Sequence, residues 1–264
     1  MKIWHVGASK NPFEVNGINQ RVWTLAQYQA AGGHIVAILV AEEPENWVKE
    51  WARGHEIRVH YVSGSKLLFN TAALEDLIRR DRPDIVHMHS AFVPRQAQLA
   101  ELLKKYGIAY VVTPGGGYAP QVLARGRLKK WLYGCMVERR RIRNAKGLSY
   151  VAPGELRELM DYVPGYSGSL RWIPNPVSKE VADAARHATP WEHKRLVFLG
   201  RFDVIHKGLD RLIRIVRLLP QWPVVLYGVP DRRTLDLWKR LVLELPPNVQ
   251  IHEPVFGRDK VKAL

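Results

Sequence analysis

The chain has 264 residues, 47% hydrophobic and 25% charged, a globular balance with room for one large or two ordinary domains. Its one cysteine, Cys135, excludes an internal disulfide framework and a cysteine-based metal site; the opening MKIWHVGASK is too short an apolar run for a signal peptide, and no run approaches the ~18 apolar residues of a membrane span, so a cytoplasmic protein is expected. Lysine and arginine total 40 against 25 acids, a net charge of +15 that favours an anionic partner: nucleic acid, a phosphorylated small molecule or a membrane surface.

Apolar runs of strand length recur along the chain. They are KIWHVG near Ile3, HIVAILV from His34, IRVHYV from Ile57, DIVHMH from Asp84, AYVVTP from Ala109, GLSYVA from Gly147 and LRWIPN from Leu170. Helical patterns lie between them. In INQRVWTLAQYQAAGG, Val22, Leu25, Ala26 and Gln29 share a face and Gly32-Gly33 is a stop. In TAALEDLIRRDRPD, Leu74, Leu77 and Ile78 fall at helical spacing and Pro83 ends the run. Strand and helix in rotation predict βαβ units and a parallel sheet, and burial on both faces explains why IVAILV is continuous instead of alternating.

The stretch IPNPVSKEVADAARHATPWEHK, with Pro174, Pro176 and Pro190, reads as a connection. The pattern then restarts: RLVFLGRF (strand), GLDRLIRIVRLLP (helix), PVVLYG (strand), RRTLDLWKRLVLEL (helix) and VQIHEPV (strand). The expected organisation is α/β, two Rossmann-like domains, at residues 1–180 and 193–264 with a linker at 181–192.

Ligands of such sheets bind beyond the carboxyl ends of the strands, so those turns hold the candidate site residues. The first turn, VGASKNPFEVNGINQ, lacks the G-x-G-x-x-G of a dinucleotide fold, which counts against a nicotinamide or flavin enzyme; no cofactor is expected. Gly17 precedes a helix whose free N–H groups suit an anion, or it is simply a helix-entry glycine. His87 and His89 lie on one face of a strand. A metal would need a third ligand, and none is obvious, so His87 reads as a packed residue and His89, nearer the strand end, as a cleft candidate. Gly115, Gly116 and Gly117 follow a strand, either for close approach to a ligand or for a tight turn. In VFLGRFDVIHKG, Arg201 and Lys207 flank a strand-to-helix turn, where a diphosphate would meet a guanidinium fork, an ammonium and a helix N-terminus together.

The stretch Arg125 to Lys146 carries nine cations against one acid, Glu138. Leu128, Trp131, Leu132 and Cys135 recur at helical spacing. One reading makes that stripe core and the cations a solvated face; the other makes the helix a membrane-surface element. No helix-turn-helix, RNP or zinc pattern supports nucleic-acid binding.

Four segments in order resemble the group 1 family of retaining GT-B glycosyltransferases: NGINQRVWTLAQYQAAGGHIVAILV, PDIVHMHS, IPNPV and GRFDVIHKGLDRLI. The resemblance spans nearly the whole chain. It implies transfer of a sugar from a nucleoside diphosphate sugar to a saccharide or lipid-linked acceptor, with retention and without a metal, at the inner face of the membrane where the acceptor is a lipid. Arg201, Lys207 and Gly17 would then meet the donor diphosphate. Two departures accompany it. Gly115 stands where many relatives carry a histidine near the reacting sugar. The paired-glutamate segment that grips the donor's sugar and ribose falls beyond Leu264, so the resemblance implies an incomplete second domain, with apolar surface exposed around Val225, Leu226 and Val255 and weak transfer by this chain alone. A glycosyltransferase-like protein that binds nucleotide or a partner without turnover is the alternative.

Overall fold

A computed structural model describes residues 1–14, 16–186, 195–205, 207–255, 259–260 and 263. Two compact units divide the chain, Met1–Pro176 and Val177–Leu264.

The first unit alternates strand and helix from its start: β1 (Lys2–Val6), α1 (Gly17–Ala31), β2 (Ile35–Val40), α2 (Asn46–Gly54), β3 (Ile57–Tyr61), α3 (Thr71–Asp81), β4 (Ile85–His89), α4 (Pro94–Lys105) and β5 (Ala109–Thr113). A longer connection follows, made of α5 (Pro120–Ala124), α6 (Arg127–Tyr133), a π-helical turn (Gly134–Glu138) and α7 (Arg139–Arg143). It leads to β6 (Gly147–Tyr150), α8 (Pro153–Tyr162) and β7 (Ser169–Trp172). All seven strands are parallel, in the order β3-β2-β1-β4-β5-β6-β7. The order reverses between β1 and β4, the kind of switch point beside which ligands of such sheets bind.

Burial follows the sequence patterns. In β2 all of Val36–Val40 is buried, as a strand covered on both faces requires. Helix α1 buries Val22, Trp23, Ala26 and Ala30, and α3 buries Leu74 and Ile78. Asn16 caps α1 by accepting from the Ile18 N–H, and Pro94 and Pro153 open α4 and α8, where a missing N–H costs nothing. The connection before β6 departs from the core reading of its apolar stripe. Leu128, Trp131 and Leu132 are exposed, as is Met136 on the same side, and Cys135 is exposed too. The face turned inward instead carries Gly134, Glu138, Arg141 and Ile142.

The second unit opens with α9 (Lys179–Arg186), so helix occupies the start of the expected linker; residues 187–192 of that linker lie outside the described residues. Then come β8 (Leu196–Leu199), α10 (Leu209–Arg217), β9 (Val224–Tyr227), a 3₁₀ turn (Arg232–Thr234), α11 (Leu235–Leu243) and β10 (Val249–His252). The three strands are parallel in the order β10-β9-β8. Phe202 stacks on Trp238, with centroids 4.2 Å apart, in a core shared with Leu209, Ile213, Val216 and Leu226. The expected exposure at Val225 and Leu226 is not found: β9 is the middle strand, and both side chains are buried. Val255 is partly buried. Leu218 and Leu243, at the ends of α10 and α11, are the strongly exposed apolar residues there.

Candidate functional site

The β1–β4 switch point gathers three imidazoles. Parallel register sets His5 beside His87, and the two-residue period of β4 brings His89 to the same face. One ring nitrogen of each lies within 4.8 Å of the others. The third imidazole, which the sequence alone did not reveal, therefore comes from a strand eighty residues earlier in the chain. The Gln29 side-chain Oε1 sits 2.6 Å from His5 Nε2, so that nitrogen donates. His5 Nδ1 then accepts, and His89 Nε2, 3.0 Å away, is the donor. His87 Nε2 lies 2.7 Å from the Thr113 hydroxyl, which in turn bonds Ser149.

Burial holds all three histidines neutral. His5 is pushed down to about 4 despite its bond to Gln29. His87 and His89 fall well below their ordinary value, first through burial, then through the neighbouring imidazoles and the charge of Arg21. A metal would need convergent lone pairs. The His87 and His89 rings are tilted by 33° with their centroids 3.9 Å apart, and the charge of Arg21 opposes an added cation. The cluster is a packed, uncharged hydrogen-bonded group. His89 is fully buried in it and does not open to solvent. Gly7 closes it from above: at φ 127° it lies so near β4 that a Cβ would come within 2.5 Å of the His89 carbonyl oxygen.

The glycine loop after β5 has a different partner on each side. Gly115 and Gly116 adopt left-handed conformations, φ 58° and 72°. A Cβ on Gly115 would meet Arg21 Nη2 at 3.0 Å, and one on Gly117 would strike the Ala91 side chain at 2.4 Å. Gly117 is thus fixed by packing. Arg21 is buried on α1, its Nε donates to Asn175 Oδ1 at 2.6 Å, and its Nη1 has no hydrogen-bond partner. Burial lowers its pKa, and Glu155 opposes that shift. The sequence offered one signal for Arg21, a charge directly beside Val22 on the apolar side of a helix.

Across Gly116 lies Glu155, whose Oε2 accepts from the Val151 N–H at 3.0 Å. Gly116, Gly117, Tyr118, Tyr150, Glu155 and Glu158 line a small hollow of about 10 Å³, the size that holds a water molecule. Burial and the charge of Glu155 raise the pKa of Glu158. Gly17 is exposed at the first turn of α1, and a Cβ there would meet nothing. The loop Gly115–Gly117 and Gly17 thus lie at the strand-end side of the first unit, and His89 is buried at the end of β4.

In the second unit the β8–α10 connection carries the two cations. Gly208, φ 65°, is the N-cap of α10. Lys207 is exposed, and its backbone N–H is tied to the Asp203 carbonyl. Arg201 is half-exposed and commits Nη1 to buried Asp231 at 2.7 Å. Arg233 also holds Asp231, through its side chain and backbone; those bonds, with the charge of Arg201, keep this carboxylate far below the usual range. Asp231 orients one edge of the Arg201 fork and withdraws it from ligand. It is separated from Arg201 by the whole of α10 and β9, which hid the pairing from sequence reasoning.

A family model for the glycosyl transferase 4-like domain matches residues 16–176, more than half of the chain. The chain belongs to that family. The match covers β4 with His87 and His89, Arg21, the glycine loop and Asn175; it begins after His5 and stops before Arg201. No curated protein sequence matches the chain. Among solved structures, a glycosyltransferase of Rickettsia africae aligns with a TM-score of 0.59 and 15% identity, over 96% of this chain and 68% of its own. HepE of Anabaena, solved in complex with UDP and glucose, aligns at 0.60 and 14%, over 97% of this chain and 70% of its own. A UDP-GlcNAc 2-epimerase of Neisseria meningitidis bound to UDP-GlcNAc aligns at 0.57 and 12%, over 100% and 74%. These likenesses establish the fold as GT-B type for this glycosyl transferase 4-like protein.

Proposed function

We propose that the protein transfers a glycosyl group from a nucleoside diphosphate sugar to an acceptor hydroxyl. The observation that carries the reading is the β8–α10 turn. Exposed Lys207, the free edge of the Arg201 fork and the left-handed N-cap Gly208 stand together where a strand end meets a helix start. The family match supports glycosyl transfer, and the UDP and UDP-sugar complexes of fold neighbours support the donor class.

In the reaction the bond from the anomeric carbon to the diphosphate oxygen breaks, a bond to the acceptor oxygen forms, and the acceptor's hydroxyl proton passes to the departing diphosphate. Negative charge grows on the diphosphate as it leaves, so cations fixed beside it stabilise the transition state more than the ground state. On this reading Arg21 is a positioning residue that braces Gly115 from behind. Glu155 and Glu158, beside Gly116, are carboxylates to which acceptor hydroxyls would donate. Retention, and chemistry without a metal, are further parts of the proposal that rest on the family resemblance.

Calorimetry with UDP and GDP, and a sugar-release assay with a panel of sugar nucleotides, test it. Charge-assisted bonds contribute about 1.5–3 kcal/mol each. Replacing Arg201 and Lys207 together by alanine should therefore weaken nucleotide binding at least tenfold. Equal affinity in native and variant chains would reject the assignment of these cations. Tight nucleotide binding with no sugar release from any donor would favour binding without turnover.

A further inference from the structure

The connection between β5 and β6 presents an apolar face that is exposed among the described residues. Leu128, Trp131, Leu132 and Met136 are exposed by 76%, 60%, 52% and 68%. Their spacing through α6 and the π-helical turn puts them on one side. The opposite side is fastened to the first unit. Gly134 packs so closely on Tyr162 that a Cβ would come within 2.6 Å of the phenol oxygen. Glu138 accepts from Arg141, from the Phe92 N–H and from Tyr118. Ile142 is fully buried. The exposed quartet is therefore held in place on a packed element.

Charge identifies what the face meets. Arg125, Arg127, Lys129, Arg140, Arg143 and Lys146 are exposed around it. The only acid between residues 125 and 146 is Glu138, and it is consumed inside the protein by Arg141. Glu101, from α4, pairs with Arg140 and offsets one of the six. A second copy of this face would repel it. A nucleic acid would satisfy the cations and leave four large apolar side chains in water. An anionic lipid surface satisfies both, taking apolar groups at the acyl boundary and cations among the headgroups.

We infer that the run Arg127–Arg143 docks the protein on an anionic membrane surface, with Leu128, Trp131, Leu132 and Met136 entering the acyl boundary. No described helix is long and apolar enough to cross a membrane, so this contact is peripheral. It is independent of the nucleotide assignment, and its test does not use donor or acceptor.

The test is co-sedimentation of the full chain with phosphatidylcholine vesicles and with mixed phosphatidylcholine–phosphatidylglycerol vesicles, at low and high salt. The native chain should partition to the mixed vesicles only, and less so as salt shortens the Debye length from about 10 Å at 0.1 M to about 3 Å at 1 M. The triple variant Leu128→Ser, Trp131→Ser, Met136→Ser should lose roughly tenfold or more in partitioning. Arg127→Glu with Lys129→Glu should lose a similar factor and most of the salt dependence. These sites are exposed, so both variants should melt like the native chain, which thermal circular dichroism checks. Equal partitioning of native and triple-variant chains overturns the inference, as does equal binding to both vesicle types. A solution mass that falls from dimer to monomer in the triple variant overturns it too, by showing a second copy on the face.

Discussion

Replacing Glu138 by alanine removes the one carboxylate buried under the α6–α7 connection. Arg141 would stay, 2% exposed, with Gln96 Oε1 at 3.0 Å and the Ser90 carbonyl at 3.1 Å as its remaining oxygen acceptors. The Tyr118 hydroxyl and the Phe92 N–H would lose their acceptor at the same time. Glu138 is what raises the Arg141 pKa against the strong lowering by burial, so its loss leaves a charge that the interior does not compensate. Breaking a buried pair from one side costs about 3–5 kcal/mol. In a domain of the first unit's size each kcal/mol shifts the melting temperature by about 2–4 °C. The expected drop is therefore roughly 6–20 °C in the transition of that unit, followed by calorimetry or circular dichroism. The double variant Glu138→Ala, Arg141→Met should recover much of the loss, because an apolar pair needs no desolvated charge. A single variant that loses less than about 1 kcal/mol, the range of an exposed pair, would refute the reasoning, since it would mean that water reaches Arg141.

Gly115→Ala should destabilise the first unit by about 1–3 kcal/mol in urea denaturation, since it places a side chain at φ 58° and 3.0 Å from an Arg21 held by Asn175. Gly17→Ala, opening into empty space, should change stability by no more than about 0.5 kcal/mol, and the reverse ranking would count against the bracing role of Arg21. The histidine cluster predicts acid sensitivity. The folded pKa values lie below that of a free imidazole, so below about 6.5 the unfolded chain binds more protons than the folded one. Stability present at neutral pH should then decline as pH falls toward the His5 value of about 4, and further for His87 and His89. The slope should reach about 1.4 kcal/mol per pH unit for each histidine, and a flat urea midpoint between neutrality and pH 5 would contradict their neutral burial.

Periodicity is a local property, and what it reports was legible in the sequence. The run IVAILV declared a strand covered on both faces; Leu74 and Ile78 declared the buried stripe of α3; and the alternation of such segments declared a parallel α/β sheet. Each follows from neighbouring residues having to hide together. The family motifs were legible for the same reason, since each is a short segment around one strand end. Tertiary structure decided what spacing cannot express. Helical spacing set Leu128, Trp131 and Leu132 on one face, but only the packing of Gly134 on Tyr162, and of Glu138 with Arg141, showed that the opposite side turns inward. The pairing of β1 with β4 brought His5 to His87 and His89, making three imidazoles of an apparent pair. Asn175 reached Arg21 from the far end of the first unit, and Asp231 reached Arg201 across α10 and β9. These partners are remote in sequence because a parallel sheet joins its neighbours through crossovers of a dozen residues or more, so the groups that share a strand end, and the charges that they exchange there, are set by strand order and register.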